Sequence, residues 1–167
     1  MSLNWLNELP AAEAATEFAK CCGSKCWAET MTRRRPFASA AELTRIASEA
    51  WWELSATDWL EAFRSHPKIG EKKAAELVST QSAQWSGQEQ AGVNHAASDT
   101  IDSLAQLNRE YEDKFGFIFI VCATGKSADE MLALLRGRLP NAYDIELPIA
   151  AAEQAKITEL RLKKLIN

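Results

Sequence analysis

Histidine is scarce in this chain, with two among 167 residues, and tyrosine is equally rare at two. Basic residues are outnumbered: 19 Lys and Arg stand against 23 Asp and Glu, a net charge of −4, so the electrostatic footprint of a nucleic-acid binder is missing. The one basic run, Arg33-Arg34-Arg35, reads as a solvated loop. No apolar run approaches the length of a membrane span. The opening Met1-Ser2-Leu3-Asn4-Trp5-Leu6-Asn7-Glu8 lacks the basic and apolar regions of a secretion signal, and the closing Lys164-Leu165-Ile166-Asn167 is no peroxisomal address. A cytoplasmic protein is expected, with neither nucleic acid nor membrane as partner. Of the four cysteines, Cys21, Cys22 and Cys26 cluster without the paired spacing and nearby histidines of a structural zinc site. Together with Cys122 they read as reduced, mostly small and buried apolar residues, and no metal is expected. Repeats, linkers and low-complexity stretches are also missing.

The rest is ordinary for a soluble globular domain, 47% hydrophobic and 25% charged. A chain of 167 residues is most simply one domain, 1–167, long enough for a core without disulfides or metals. Most of it has helical periodicity. Residues 11–22 are rich in helix formers between Pro10 and Gly23, and a second helix is expected from Cys26 to Thr32. Ser39-Ala40-Ala41-Glu42 and Ser127-Ala128-Asp129-Glu130 have the form of capping boxes, and Ser55-Ala56-Thr57-Asp58 restarts a helix through Phe63. Trp51, Trp52 and Trp59 read as core and cleft wall rather than as a ligand platform. A short helix is expected over 71–79, a polar loop over Gln81–Gly87, and the longest helix over about 87–113. Pro148 is expected to start the last helix. Phe115 to Ala123 has strand-like composition, but it is the one such run and has nothing to pair with. The expectation is an all-α, single-domain bundle of about eight helices with one buried non-helical apolar segment.

Three polar positions stand out. His66, in Ser65-His66-Pro67-Lys68-Ile69-Gly70, falls where a helix must stop, because the residue before proline is pushed out of the α region. There it either bonds a neighbour as part of a plain helix stop, which pattern alone favours, or projects into a cleft as a group titrating near neutrality. Ser86-Gly87-Gln88-Glu89 has the capping-box form at the expected start of the long helix. The same geometry also offers a positive dipole end to a ligand, with Glu89 accepting from the ligand's N–H groups. Arg161 lies in the apolar stripe of Ile157, Leu160 and Leu165. Pattern alone favours its snorkelling to the surface over a fork aimed at a carboxylate or paired carbonyls. No serine occupies a nucleophile-elbow context, and Cys122 sits where a thiol is inert.

The combined words resemble the family of 2-oxo-4-hydroxy-4-carboxy-5-ureidoimidazoline (OHCU) decarboxylase, the last enzyme of the urate-to-allantoin route. They are Arg35-Pro36-Phe37, Trp59-Leu60-Glu61-Ala62-Phe63 followed by Ser65-His66-Pro67-Lys68-Ile69-Gly70, and Ser86-Gly87-Gln88-Glu89-Gln90. Tyr111 to Phe117, Arg138-Leu139 with Asn141, and Lys156 to Leu162 continue the match in order along nearly the whole chain. The resemblance implies an all-α, cofactor-free carboxy-lyase, often a homodimer, that converts OHCU to (S)-allantoin in purine degradation. Carried over by position, it implies His66, Glu89 and Arg161 as catalytic residues. Pro67, Ser86 and Gln90 follow as substrate contacts, together with Phe119, Ile120, Val121, Cys122 and Ala123 through their backbone. A non-catalytic helical interaction module, or another hydrolase or isomerase of ureides, is the alternative.

Overall fold

The computed structural model describes residues 2–67, 80–89 and 98–167, and among these lie nine helices and no strand. Met1–Ala62 with Ala155–Asn167 form one compact unit, and Phe63–Gln154 form another.

In the first unit, α1 (Leu3–Glu8), α3 (Lys25–Arg33) and α4 (Ala40–Trp52) each start on a serine whose hydroxyl accepts a first-turn N–H: Ser2, Ser24 and Ser39. Helix α2 (Ala11–Cys21) follows Pro10. α2 packs on α3 and α3 on α4. Phe18 of α2 is fully buried and meets Trp27 and Phe37 edge-on, at 5.9 and 6.2 Å between ring centroids. The Trp27 indole N–H, buried with its ring, donates to the Ala47 carbonyl at 3.0 Å. The basic triplet is only partly a solvated loop. Arg33 and Arg34 are exposed, but Arg35 donates to the Leu6 and Leu9 carbonyls at 2.8 and 2.7 Å, satisfying acceptors at the end of α1. Trp51 is buried and Trp59 half-buried, whereas Trp52 is 47% exposed, outside the core, and meets the Trp59 ring edge-on. Helix α5 (Ala56–Arg64) runs out of this unit at Ala62.

The second unit contains α6 (Thr80–Glu89), α7 (Ser98–Phe115), α8 (Ala128–Arg138) and the start of α9 (Tyr143–Ile166), whose C-terminal part belongs to the first unit. Between α7 and α8 the chain is non-helical, as expected. Gly116 and Gly125, both with left-handed φ (+73° and +78°), bracket the segment, and Phe117 and Phe119–Ala123 between them are buried. The ring of Tyr111 touches Phe115, Phe117 and Phe119. Its hydroxyl donates to Glu146, which is fully buried. Glu146 also accepts from Arg138 Nε and Asn141 Nδ2, each at 2.7 Å, while Arg138 Nη1 donates to the Ile120 carbonyl at 2.8 Å. The non-helical segment thus hangs on a satisfied buried ion pair.

Three element boundaries differ from expectation. Gln81–Gly87 is not a loop but part of α6, because Trp85, Ser86 and Glu89 bury one face and packing outweighs the polar local composition. Of the expected helix over about 87–113, the described residues form the end of α6 and α7 from Ser98, and the longest described helix is α9, of 24 residues, rather than this one. The segment 71–79 lies outside the described residues. Pro148 lies inside α9 rather than at its start. The helix is already closed upstream by the Glu146 N–H on the Ala142 carbonyl at 2.9 Å, so the proline removes only the bond toward Asp144.

Removing one member of a buried pair strands the other. Arg138→Met should lower unfolding stability by about 3–5 kcal/mol in urea titrations, and adding Glu146→Leu should restore a large part of that loss.

Candidate functional site

α5 ends at Arg64, and the chain breaks across Ser65-His66-Pro67, where the His66 N–H still closes on the Phe63 carbonyl at 3.2 Å. The half-buried imidazole is fixed at its far end: Nε2 stands 2.6 Å from Oε1 of Gln154, itself fully buried on α9. Pro67 follows, half-buried.

Ser86 and Glu89 are buried, at 4% and 8% exposure, on the same face of α6 as Trp85. Ser86 therefore does not cap a helix. It sits inside one, and the expected capping box and positive dipole end at that position do not form. The S-x-x-E spacing instead sets a hydroxyl and a carboxylate one turn apart on a buried face. Glu89 lies within electrostatic reach of Cys122: burial pushes that thiol up, Lys126 opposes, and Glu153 and Glu89 push it further. Gln90 lies outside the described residues.

Phe119, Ile120, Val121, Cys122 and Ala123 are all buried. Part of their backbone is already engaged. The Cys122 N–H donates to Glu153 Oε2 at 2.7 Å, the Cys122 carbonyl accepts from Lys126 Nζ at 2.6 Å, and the Ile120 carbonyl is held by Arg138. Among the described residues, the N–H groups of Phe119, Ile120 and Val121 have no hydrogen-bond acceptor. Buried donors of this kind call for a partner.

Arg161 lies on the part of α9 that belongs to the first unit, and at 2% exposure it does not snorkel. Its charge acts on the buried thiols of Cys21, the last residue of α2, and Cys22 just beyond it. Burial pushes the Cys21 thiol far up, with the Arg161 charge opposing. Burial also pushes Cys22 up to about 11, against bonds from the Ser24 backbone and the Thr158 hydroxyl and against the Arg161 charge. Cys21, Cys22 and Cys122 are buried as expected, but Cys26 is exposed.

Within the second unit one dipeptide, Glu153-Gln154, holds the non-helical segment through one side chain and His66 through the other. Sequence reasoning missed both. A signal was there: Gln154, Thr158 and Arg161 recur at i, i+4 and i+7 on the buried stripe of α9, so three polar residues interrupt one apolar face. Among the described residues, no cluster of His, Cys, Asp and Glu is arranged to hold a metal ion.

The sequence model of OHCU decarboxylase matches residues 7–163. The chain belongs to that family. It is similar to the uric acid degradation bifunctional protein TTL of Arabidopsis thaliana, 39% identical over 152 residues that make up 90% of this chain and 47% of that protein. The chain thus spans about half the length of that relative. It is 26% identical to the 2-oxo-4-hydroxy-4-carboxy-5-ureidoimidazoline decarboxylase of Haloferax volcanii, over 97% of this chain and 94% of that one. A crystal structure of OHCU decarboxylase in the presence of (S)-allantoin superposes with a TM-score of 0.77 at 39% identity, covering 90% of this chain and 96% of that one. The all-α architecture of this chain is thus that of a solved OHCU decarboxylase.

The buried thiols carry a pH signature. Cys22 is raised from 9.0 to about 11 in the fold, so its protonated form is favoured there. Its contribution is complete below the unfolded value of 9.0 and is lost as pH rises from there through about 11, and Cys21 acts in the same direction. The urea midpoint should fall between about pH 9 and about pH 11, and Cys21→Ala with Cys22→Ala should flatten that fall. An equally steep decline in the double variant would rule out the thiols as its source.

Proposed function

We propose that this protein decarboxylates OHCU to (S)-allantoin without a cofactor. The observation that carries this reading is the Glu153-Gln154 pair, which ties the candidate proton-transfer histidine and the segment with unengaged buried N–H groups to one turn of α9. Membership of the OHCU decarboxylase family supports the choice of substrate.

The chemistry asks little beyond these groups. The carbon that loses carbon dioxide carries a hydroxyl and adjoins the unsaturated ring. When the C–C bond breaks, its electron pair delocalises into ring nitrogen and carbonyl, and the substrate serves as its own electron sink. The protein supplies orientation, charge stabilisation and one proton delivered to one face. Arg161 and the main-chain N–H groups of Phe119, Ile120 and Val121 hold ring carbonyls. Glu89, with Ser86, Gln90 and Pro67 around the ligand, accepts from ring or ureido N–H groups. His66 contacts the hydroxyl or the departing carboxylate and assists protonation of the same carbon. Protonation from a single side sets the configuration of the product.

The direct test is carbon dioxide release from freshly generated OHCU, with circular dichroism following the chirality of allantoin. His66→Ala should lose about 10²–10⁴-fold in turnover while keeping its helical spectrum, the range general acid–base groups supply. Near-wild-type turnover would sink the role of His66. Arg161→Ala should weaken allantoin binding in calorimetry, and an unchanged dissociation constant would remove it from the ligand set. The protein acts in the cytoplasm as a homodimer in this reading. Light scattering should then give twice the 18.5 kDa chain mass, and a monomer would overturn it.

A further inference from the structure

We propose that Gln154 is a positioning residue that fixes the tautomer of His66, holding the proton on Nε2 and presenting Nδ1 as the acceptor. The inference rests on the role of His66 proposed above and adds a residue and an atom assignment to it.

The geometry is specific. A neutral imidazole has one N–H and one lone pair, and which nitrogen carries the proton is set by the partner of the other. Here Nε2 faces the carbonyl-type oxygen of an amide at 2.6 Å. An amide oxygen only accepts, so the proton resides on Nε2. Gln154 is suited to the task because it cannot wander: it is fully buried, in the interior of α9, and flanked by the buried Ala150, Ala151 and Ile157. A surface glutamine would exchange its partner for water.

The other end of the ring is constrained through the backbone. The His66 N–H closes on Phe63, and Pro67 restricts the His66 backbone from the far side. The neighbouring Glu153 is tied to the Cys122 N–H, so a rotation of α9 that released His66 would also release the non-helical segment. A neutral amide suits a proton-transfer histidine better than a carboxylate here. It orders the ring without adding the negative charge that would favour imidazolium.

The test uses the full chain labelled with ¹⁵N-histidine at about pH 8.5, where an ordinary imidazole is neutral. In the wild type, two-bond ¹⁵N–¹H correlations should show His66 protonated on Nε2. Gln154→Met conserves volume and removes the acceptor, and His66 should then populate both tautomers. Turnover on OHCU should fall about tenfold to hundredfold in kcat with KM little changed, less than the loss of the histidine itself. Gln154→Glu restores an acceptor and should restore the Nε2–H tautomer, which a merely space-filling residue would not do. Helical circular dichroism checks that each variant is folded. A wild-type ring protonated on Nδ1, or an Nε2–H tautomer that persists in Gln154→Met, overturns the proposal. So does a redistributed tautomer with unchanged kcat. In that case turnover of His66→Ala says separately whether the catalytic reading of the histidine falls too.

Discussion

The buried Arg138–Glu146 pair is the contact on which the second unit depends. Taking two charges out of water costs several kcal/mol per ion, so such a pair persists only where further hydrogen bonds complete it. Here they do. Glu146 accepts from Tyr111 and Asn141 besides the guanidinium, and Arg138 spends another N–H on the Ile120 carbonyl and lies over the Phe119 ring at 4.7 Å. Burial, reinforced by the bond to Glu146, pushes the Tyr111 phenol far above its usual range, so it stays a donor. One planar fork thereby joins α7, α8, α9 and the non-helical segment. A lysine, with its point charge, would not span those directions.

That network explains how an apolar, strand-like stretch stays non-helical inside an all-α protein. Backbone outside a helix needs partners, and some are side chains brought by helices distant in sequence: Arg138 for the Ile120 carbonyl and Glu153 for the Cys122 N–H. The segment is left with rigid ends, left-handed glycines at either side, and buried N–H groups in its middle. The same helix that supplies Glu153 supplies Gln154 to His66. Site and scaffold are therefore not separable along α9.

Legibility from sequence tracked how local each determinant is. The capping box at Ser127 formed as read, and the Ser39 hydroxyl caps α4 although Glu42 turns back to the Ala38 N–H rather than to that of Ser39, because a hydroxyl and a backbone N–H three residues on are enough for the cap. The identical pattern at Ser86 did not, because α6 already begins at Thr80 and a serine inside a helix has no free N–H to cap. Trp85, read as an interruption in a loop, is the side chain whose burial makes that stretch helical. Arg161 shows the reverse case: its place in the apolar stripe was legible, but its burial within electrostatic reach of Cys21 and Cys22, far away in the chain, was not. Gln154 is a similar case. Its place among the polar residues that interrupt the buried stripe of α9 was there to be read, but its meaning comes from a histidine 88 residues earlier.

By itself the sequence determined the all-helical class, most helix starts, the break at His66-Pro67, and the odd segment before Ala123. Each is encoded within one or two turns by propensity, capping or apolar period. It also carried the words that mark the OHCU decarboxylase family. Tertiary structure alone decided that Ser86 and Glu89 share a buried helix face and that Arg161 is interior. It also decided that His66 answers to Gln154 while Cys122 answers to Glu153. Those are hydrogen bonds and burials between residues remote in the chain, and no local pattern carries the distance between them.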